Sequence, residues 1–95
     1  MSGKIEGTIA SVSEAGNLVT DISSEQLGGV PRGESVVVRC DDHETNGIFE
    51  ADHSQPAATL IAVLGASGQL ELEIVGDSAK IMLGVAIGEK VEVAW

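Results

Sequence analysis

Gln69-Leu70-Glu71-Leu72-Glu73-Ile74-Val75 is the stretch that decides the fold. Leu70, Leu72 and Ile74 alternate with Gln69, Glu71 and Glu73, which is the two-residue period of a strand with one apolar face and one polar face. On that pattern Glu71 and Glu73 are expected to point into solvent. The C-terminus repeats the pattern: Val91, Val93 and Trp95 share a face, with Lys90 and Glu92 opposite. The run Lys4 to Val12 alternates more loosely, with Ile5, Gly7 and Ile9 on one side. Val36-Val37-Val38 and Thr59 to Leu64 are short continuous apolar runs flanked by turn residues, and they read as strands buried on both faces.

Turn chemistry separates these runs. Gly16-Asn17, Pro31-Arg32-Gly33 and Ala66-Ser67-Gly68 read as tight turns, the last as a hairpin, and Ile87-Gly88-Glu89 leads into the final strand. Two short helical pieces are predicted. Ser23-Ser24-Glu25-Gln26 carries a capping-box spacing. Asp77 or Ser78 caps a helix to Leu83, with Ala79, Met82 and Leu83 on one face and Gly84 at the left-handed stop. The polar, acidic stretch from Cys40 to Gln55 reads as a hairpin or long loop at the rim. About seven short strands with brief connections predict an all-β fold: a small closed or nearly closed antiparallel barrel with one or two short helices, spanning residues 1–95 as a single domain. Closure removes the exposed pairing edges that an open sheet of this size would carry.

Composition narrows the function. The 95 residues hold 5 Lys+Arg against 15 Asp+Glu, a formal net charge of −10, and aromatics are 2%. Nucleic acid and anionic membrane surfaces are therefore not expected as partners, since both recruit Lys and Arg, and single-strand binding also needs aromatic platforms. Cys40 is the one cysteine, which excludes an internal disulfide and suits a reducing compartment. No apolar segment reads as a signal peptide or a bilayer span, so a cytoplasmic location is expected. Cys40-x-x-His43 has ligand-like spacing, but a structural zinc site usually shows two such pairs and His53 supplies no second one, so no metal is expected. The roles of Cys40, His43 and His53 stay open. No nucleophile elbow, P-loop or dinucleotide fingerprint is present, and no catalytic residue is assigned.

Three segments in series carry a resemblance. The first matches Gly-x-Ile/Val-x-x-Ile/Val-Asp-x-Phe-Gly-Asn-x-x-Thr-Asn-Ile at Gly7, Ile9, Val12, Gly16, Asn17, Thr20 and Ile22. The second matches Gly-Ser-x-Gly-x-Leu-Glu-Ile at Gly65, Ser67, Gly68, Leu70, Glu71 and Leu72. The third, Gly-x-Ser-Ala-x-x-x-Leu-Gly-x-x-x-Gly-x-x-Val-x-Val, is met at Gly76, Ser78, Ala79, Leu83, Gly84, Gly88, Val91 and Val93. Together they resemble the C-terminal barrel of the SAM hydroxide adenosyltransferase family, which includes the chlorinases and fluorinase. The resemblance covers nearly the whole chain in order.

The family implies a division of labour. Its N-terminal α/β domain carries the catalytic Asp, and its C-terminal barrel forms one wall of a SAM pocket lying between subunits of a trimer. Nothing in these 95 residues reads as the α/β domain. The resemblance places candidate ligand-binding residues at Ser13, Gly16, Asn17, Ser67 and Gly68, with Ile74 and Gly76 completing the set. Asn17 would lie by the adenine edge, although the turn beside Gly16 is an alternative reason for an Asn there. The departures weaken the pocket: Ser13 stands for Asp, Ala15 for Phe, Ala66 for the first Ser and Asp21 for Asn. Each lost polar contact costs about 0.5–1.5 kcal/mol, so these changes together weaken binding by about 100-fold or more.

The expectation is thus a stand-alone, non-catalytic barrel acting as an oligomerisation or interaction module, most simply a homotrimer. The alternative is a domain that binds SAM or adenosine, alone or as half of a split SAM-dependent hydrolase or halogenase whose α/β partner is a separate chain.

Overall fold

The computed structural model describes residues 3–33, 35–65 and 67–95. Among the described residues the chain forms eight strands and one helix: β1 (Lys4–Val12), β2 (Leu18–Ser23), β3 (Val37–Cys40), β4 (His43–Asn46), β5 (Ile48–Glu50), β6 (Leu60–Leu64), β7 (Gln69–Ile74), α1 (Ala79–Leu83) and β8 (Lys90–Ala94). The strands make one sheet in the order β4-β3-β8-β1-β2-β7-β6-β5, nearly closed into a barrel. Every ladder is antiparallel except β5–β6.

Closure rests on one joint. The two outermost strands, β4 and β5, are consecutive in the chain and are separated only by Gly47. Gly47 takes φ +86°, a left-handed conformation that turns the chain from one edge of the sheet to the other. Its N–H donates to the Val36 carbonyl (2.9 Å), and the next N–H, that of Ile48, donates to the Arg32 carbonyl (3.0 Å). The Thr45 hydroxyl then reaches the Leu60 carbonyl (3.0 Å), tying β4 to β6 across the gap. The edges are thus blunted by the chain's own continuation. The polar stretch from Cys40 to Gln55 begins as the hairpin β3–β4, turning at Asp41 and Asp42, and continues into the closing strand β5, whose Ile48 inserts into the core. Pro31 to Gly33 is likewise not a tight turn, since Arg32 serves as a pairing partner for Ile48.

The interior follows the alternation. Leu18, Ile22, Leu70, Leu72, Val91 and Val93 are buried together, each full burial of such a side chain contributing about 1.5–3 kcal/mol. The run at 36–38 is one-sided: Val36 and Val38 face inward with Cys40, while Val37 is half-buried and Arg39 exposed. The run at 60–64 is covered on both faces, with Ile61, Ala62 and Val63 all buried. Ala62 belongs to the core, whereas Ile61 and Val63 lie on the outer face, opposite Glu73 and Glu71 of β7. The 51–58 crossover lies on that outer face, where His53 meets Glu73.

Helix α1 has the expected ends. The Ser78 hydroxyl caps it by accepting from the Ile81 N–H, and Gly84 takes φ +67°. Ala79 is buried, but Met82 is 58% exposed rather than on the inner face, because five residues make little more than one turn. The Ser23–Gln26 box forms its reciprocal bonds, Ser23 N–H to Gln26 Oε1 (2.9 Å) and Gln26 N–H to Ser23 Oγ (3.3 Å). It leads into turns instead of a second helix, since Gly28, Gly29 and Pro31 follow closely and break the helical run.

Replacing Gly47 tests the joint. The nearest atom to a Cβ there is Arg32 O, at 3.4 Å, so the penalty of Gly47→Ala is conformational, about 1–2 kcal/mol, or roughly 4–16 °C in Tm for a domain of this size. Gly29→Ala, where nothing lies within 4 Å, is the control and leaves Tm unchanged or raised. Thermal unfolding followed by circular dichroism reads both.

Candidate functional site

Two hairpins build the site. The β1–β2 turn is closed by Ser13 N–H to Asn17 O and Gly16 N–H to Ser13 O, both 2.9 Å. Gly16 takes φ +90°, and a Cβ there would fall 2.2 Å from Ser78 Oγ, so only glycine lets the turn rest on the cap of α1. The Lys80 N–H completes this docking by donating to the Gly16 carbonyl (2.9 Å). Asn17 is not in the left-handed region, so turn strain does not account for it. Its N–H is held by Ser13 Oγ (3.1 Å), and its side chain reaches across to β7. In the β6–β7 hairpin, Gly68 N–H donates to Gly65 O (3.1 Å) and Gly68 takes φ +80°; Ala66 lies outside the described residues.

Glu71 joins the two hairpins. Its Oε1 accepts from Asn17 Nδ2 (3.2 Å) and its Oε2 from the Ser67 hydroxyl (2.7 Å). The residue is only 6% exposed, which overturns the expectation of a solvated position. The physical reason lies in its neighbours: Val19 of β2 and Val63 of β6 flank it, and both are buried. Gly65 makes room, since a Cβ at that position would stand 2.1 Å from Glu71 Oε2. Glu73, two residues on, is also withdrawn from solvent. Its Oε1 meets His53 Nε2 at 3.3 Å. His53 Nδ1 accepts from the Gln55 N–H (3.1 Å), which places the neutral ring's proton on Nε2, facing the carboxylate. This pair ties the 51–58 crossover to β7.

The result is a groove of about 490 Å³ lined by Ser13, Asn17, Ser67, Glu71 and Glu73, with Val19 and Val63 at its apolar base and Ala51 on the crossover side. A smaller hollow of about 260 Å³ adjoins it through the shared Asn17 and Glu73, and is lined by Ala15, Ile74 and Gly76. Of the candidate residues, Ser13, Asn17 and Ser67 therefore share the main groove, while Ile74 and Gly76 border the hollow. Gly16 and Gly68 shape the turns without lining either. Asp21 stands apart, accepting from the Thr8 N–H (2.9 Å) and hydroxyl (3.2 Å). Glu71 is the residue the sequence pattern misses. The signal is the apolar run at 60–64: a neighbouring strand covered on both faces means that the polar face of β7 is covered too.

A family model for the SAM hydroxide adenosyltransferase C-terminal domain matches residues 7–92. The chain belongs to this family. An uncharacterized conserved protein from Thermotoga maritima is similar to it, with a TM-score of 0.78 and 26% identity over 95% of this chain and 35% of that one. A conserved hypothetical protein from Thermus thermophilus shares the fold, with a TM-score of 0.68 and 20% identity over 93% of this chain and 32% of that one. The chain thus spans about a third of the length of these solved relatives. No curated protein matches it. The matched part is the family's C-terminal domain, and the catalytic Asp that the resemblance implies belongs to the other one.

The remaining reactive side chains lie off the groove. Cys40 is 1% exposed, and burial, with Glu89 and Asp41 nearby, pushes its thiol up to about 11. His43 Nε2 lies 3.2 Å from the Leu83 carbonyl. Among the described residues no three His, Cys, Asp or Glu side chains gather as a metal set, and no helix is long and apolar enough to cross a membrane.

Two measurements check this geometry. Gly65→Ala forces the Glu71 carboxylate off its donors and costs about 1–3 kcal/mol, seen as a lower midpoint in urea unfolding. Cys40, held as the thiol far above neutral pH, stays unreactive toward an aromatic disulfide reagent at pH 8 in the folded protein and reacts fully in denaturant.

Proposed function

We propose that this domain is a non-catalytic interaction module that lends a preformed wall to a site completed by another protein surface, in the first instance other copies of itself in a trimer. The exposed apolar side chains of the helix that docks beside the groove carry the reading. Ile81 (78% exposed), Met82 (58%) and Ile87 (62%) stand in water, and α1, which bears two of them, docks directly on the β1–β2 turn that forms the groove's rim. Large apolar side chains left this exposed on an element beside a polar groove suit a surface that is covered in use. The family resemblance supports a wall completed by another surface, since it implies a barrel that faces a neighbouring subunit's catalytic domain. The lone buried thiol suits a cytoplasmic setting.

A second reading is favoured by the Asn17–Glu71–Ser67 network: the groove holds a small ligand, adenosine or SAM by family resemblance. A volume of about 490 Å³ falls within the usual range for small-molecule sites, about 300–1,000 Å³. A separate chain bearing the α/β domain is the other partner that this surface would accept.

Sedimentation equilibrium tests the main reading. The expected species has three times the 9.7 kDa chain mass. Because each copy carries a charge of −10, association strengthens as salt screens the repulsion. Met82→Glu combined with Ile87→Glu returns it to monomer. A wild-type monomer at high micromolar concentration and physiological salt contradicts self-association.

A further inference from the structure

The charge balance of the groove is unusual. Glu71 is 6% exposed, yet its two hydrogen-bond donors, Asn17 and Ser67, are both neutral. Burying a carboxylate is costly unless a counter-charge meets it. All five cationic side chains are engaged elsewhere. Lys4, Arg39 and Lys90 pair with Glu92, Glu44 and Glu6, while Arg32 and Lys80 donate to the Leu27 and Val85 carbonyls. Among the described residues no cation lies within ion-pair distance of Glu71. Each of its oxygens accepts one bond, which leaves the carboxylate further acceptor capacity, and the residue lines the groove.

The network also fixes which polar atoms remain. Asn17 spends one of its two Nδ2 hydrogens on Glu71, which leaves the second hydrogen as a donor and Oδ1 as an acceptor. Ser67 spends its hydroxyl proton on Glu71. Glu73 adds a second carboxylate on the same face of β7, and His53 occupies only one of its oxygens. The groove is therefore negative, its two carboxylates standing with the hydroxyls of Ser11 and Ser13 and the Asn17 amide around an apolar floor of Val19 and Val63.

We propose that this groove binds a small organic cation through its N–H groups, an alkyl guanidinium or ammonium, with Glu71 as the buried counter-charge, and that it rejects ligands bringing a carboxylate. The proposal rests on the second reading above, in which the groove is a ligand site, and adds the chemical class of its occupant. A planar guanidinium on a short methylene chain fits best: its fork meets a carboxylate in two bonds, and the chain lies along the valines.

Isothermal titration of the full chain with agmatine, arginine and adenosine is the test. Agmatine and arginine differ in one carboxylate, and adenosine is neutral. The expected result is that agmatine binds at least about tenfold more tightly than arginine. Glu71→Gln and Glu73→Gln each weaken agmatine by about tenfold or more, while Glu6→Gln on the exposed surface leaves it unchanged. Should Glu71→Gln fail to fold, as judged by circular dichroism, Glu73→Gln and the ligand comparison decide. Equal binding of agmatine and arginine, or agmatine binding that survives in the folded Glu71 and Glu73 variants, overturns the proposal, because a protein of charge −10 attracts any cation weakly. Adenosine binding without agmatine binding overturns the cation assignment alone and keeps the ligand site. Silence from all three at millimolar concentration overturns both.

Discussion

Glu71 sits on β7 between Val19 and Val63, with one oxygen on a residue from the β1–β2 turn and the other on a residue from the β6–β7 turn. Those turns are 50 residues apart in the chain, as Asn17 and Ser67 show. Without the carboxylate, the Asn17 amide and Ser67 hydroxyl would lose their partner, and a partly buried polar group left unpaired is expensive. The close fit at Gly65, the orientation of Asn17 and the polarity of the groove all follow from where this one side chain lies.

The barrel makes that position available. Gly47 lets one continuous segment serve both edges of the sheet, which brings β5 beside β6 and carries the 51–58 crossover over the outer face. His53 then meets Glu73, and the outer side of β6 and β7 becomes a second, smaller interior. A flat arrangement of the same strands would leave Glu71 in water. Family membership is shown over residues 7–92, which takes in every strand of the outer face.

Much of the fold is legible in the sequence. The Lys4–Val12 strand, the alternation in β7 and β8, and the Ser78 and Gly84 ends of α1 are set by local chemistry, which a local pattern reports. The closing strands are only partly so, because His43 to Glu50 holds just two large apolar residues, Ile48 and Phe49; β4 is the return arm of a hairpin from β3, while β5 is a strand through its pairing with β6. The site is half legible. Asn17 and Ser67 stand out as matches to a family pattern, Ser13 as a departure at a position that pattern marks, and Glu71 is matched by it without being marked as a site. Glu71 escapes because a two-residue period reports which residues share a face, and says nothing of what covers that face.

A double-mutant cycle between Asn17→Ala and Glu71→Ala, measured by urea unfolding, tests the central claim most directly. If the carboxylate joins the hairpins, the two substitutions couple by about 0.5–3 kcal/mol, the double mutant being less destabilised than the sum of the singles. Strict additivity would show that Asn17 and Glu71 do not interact in solution and would remove the basis for the groove.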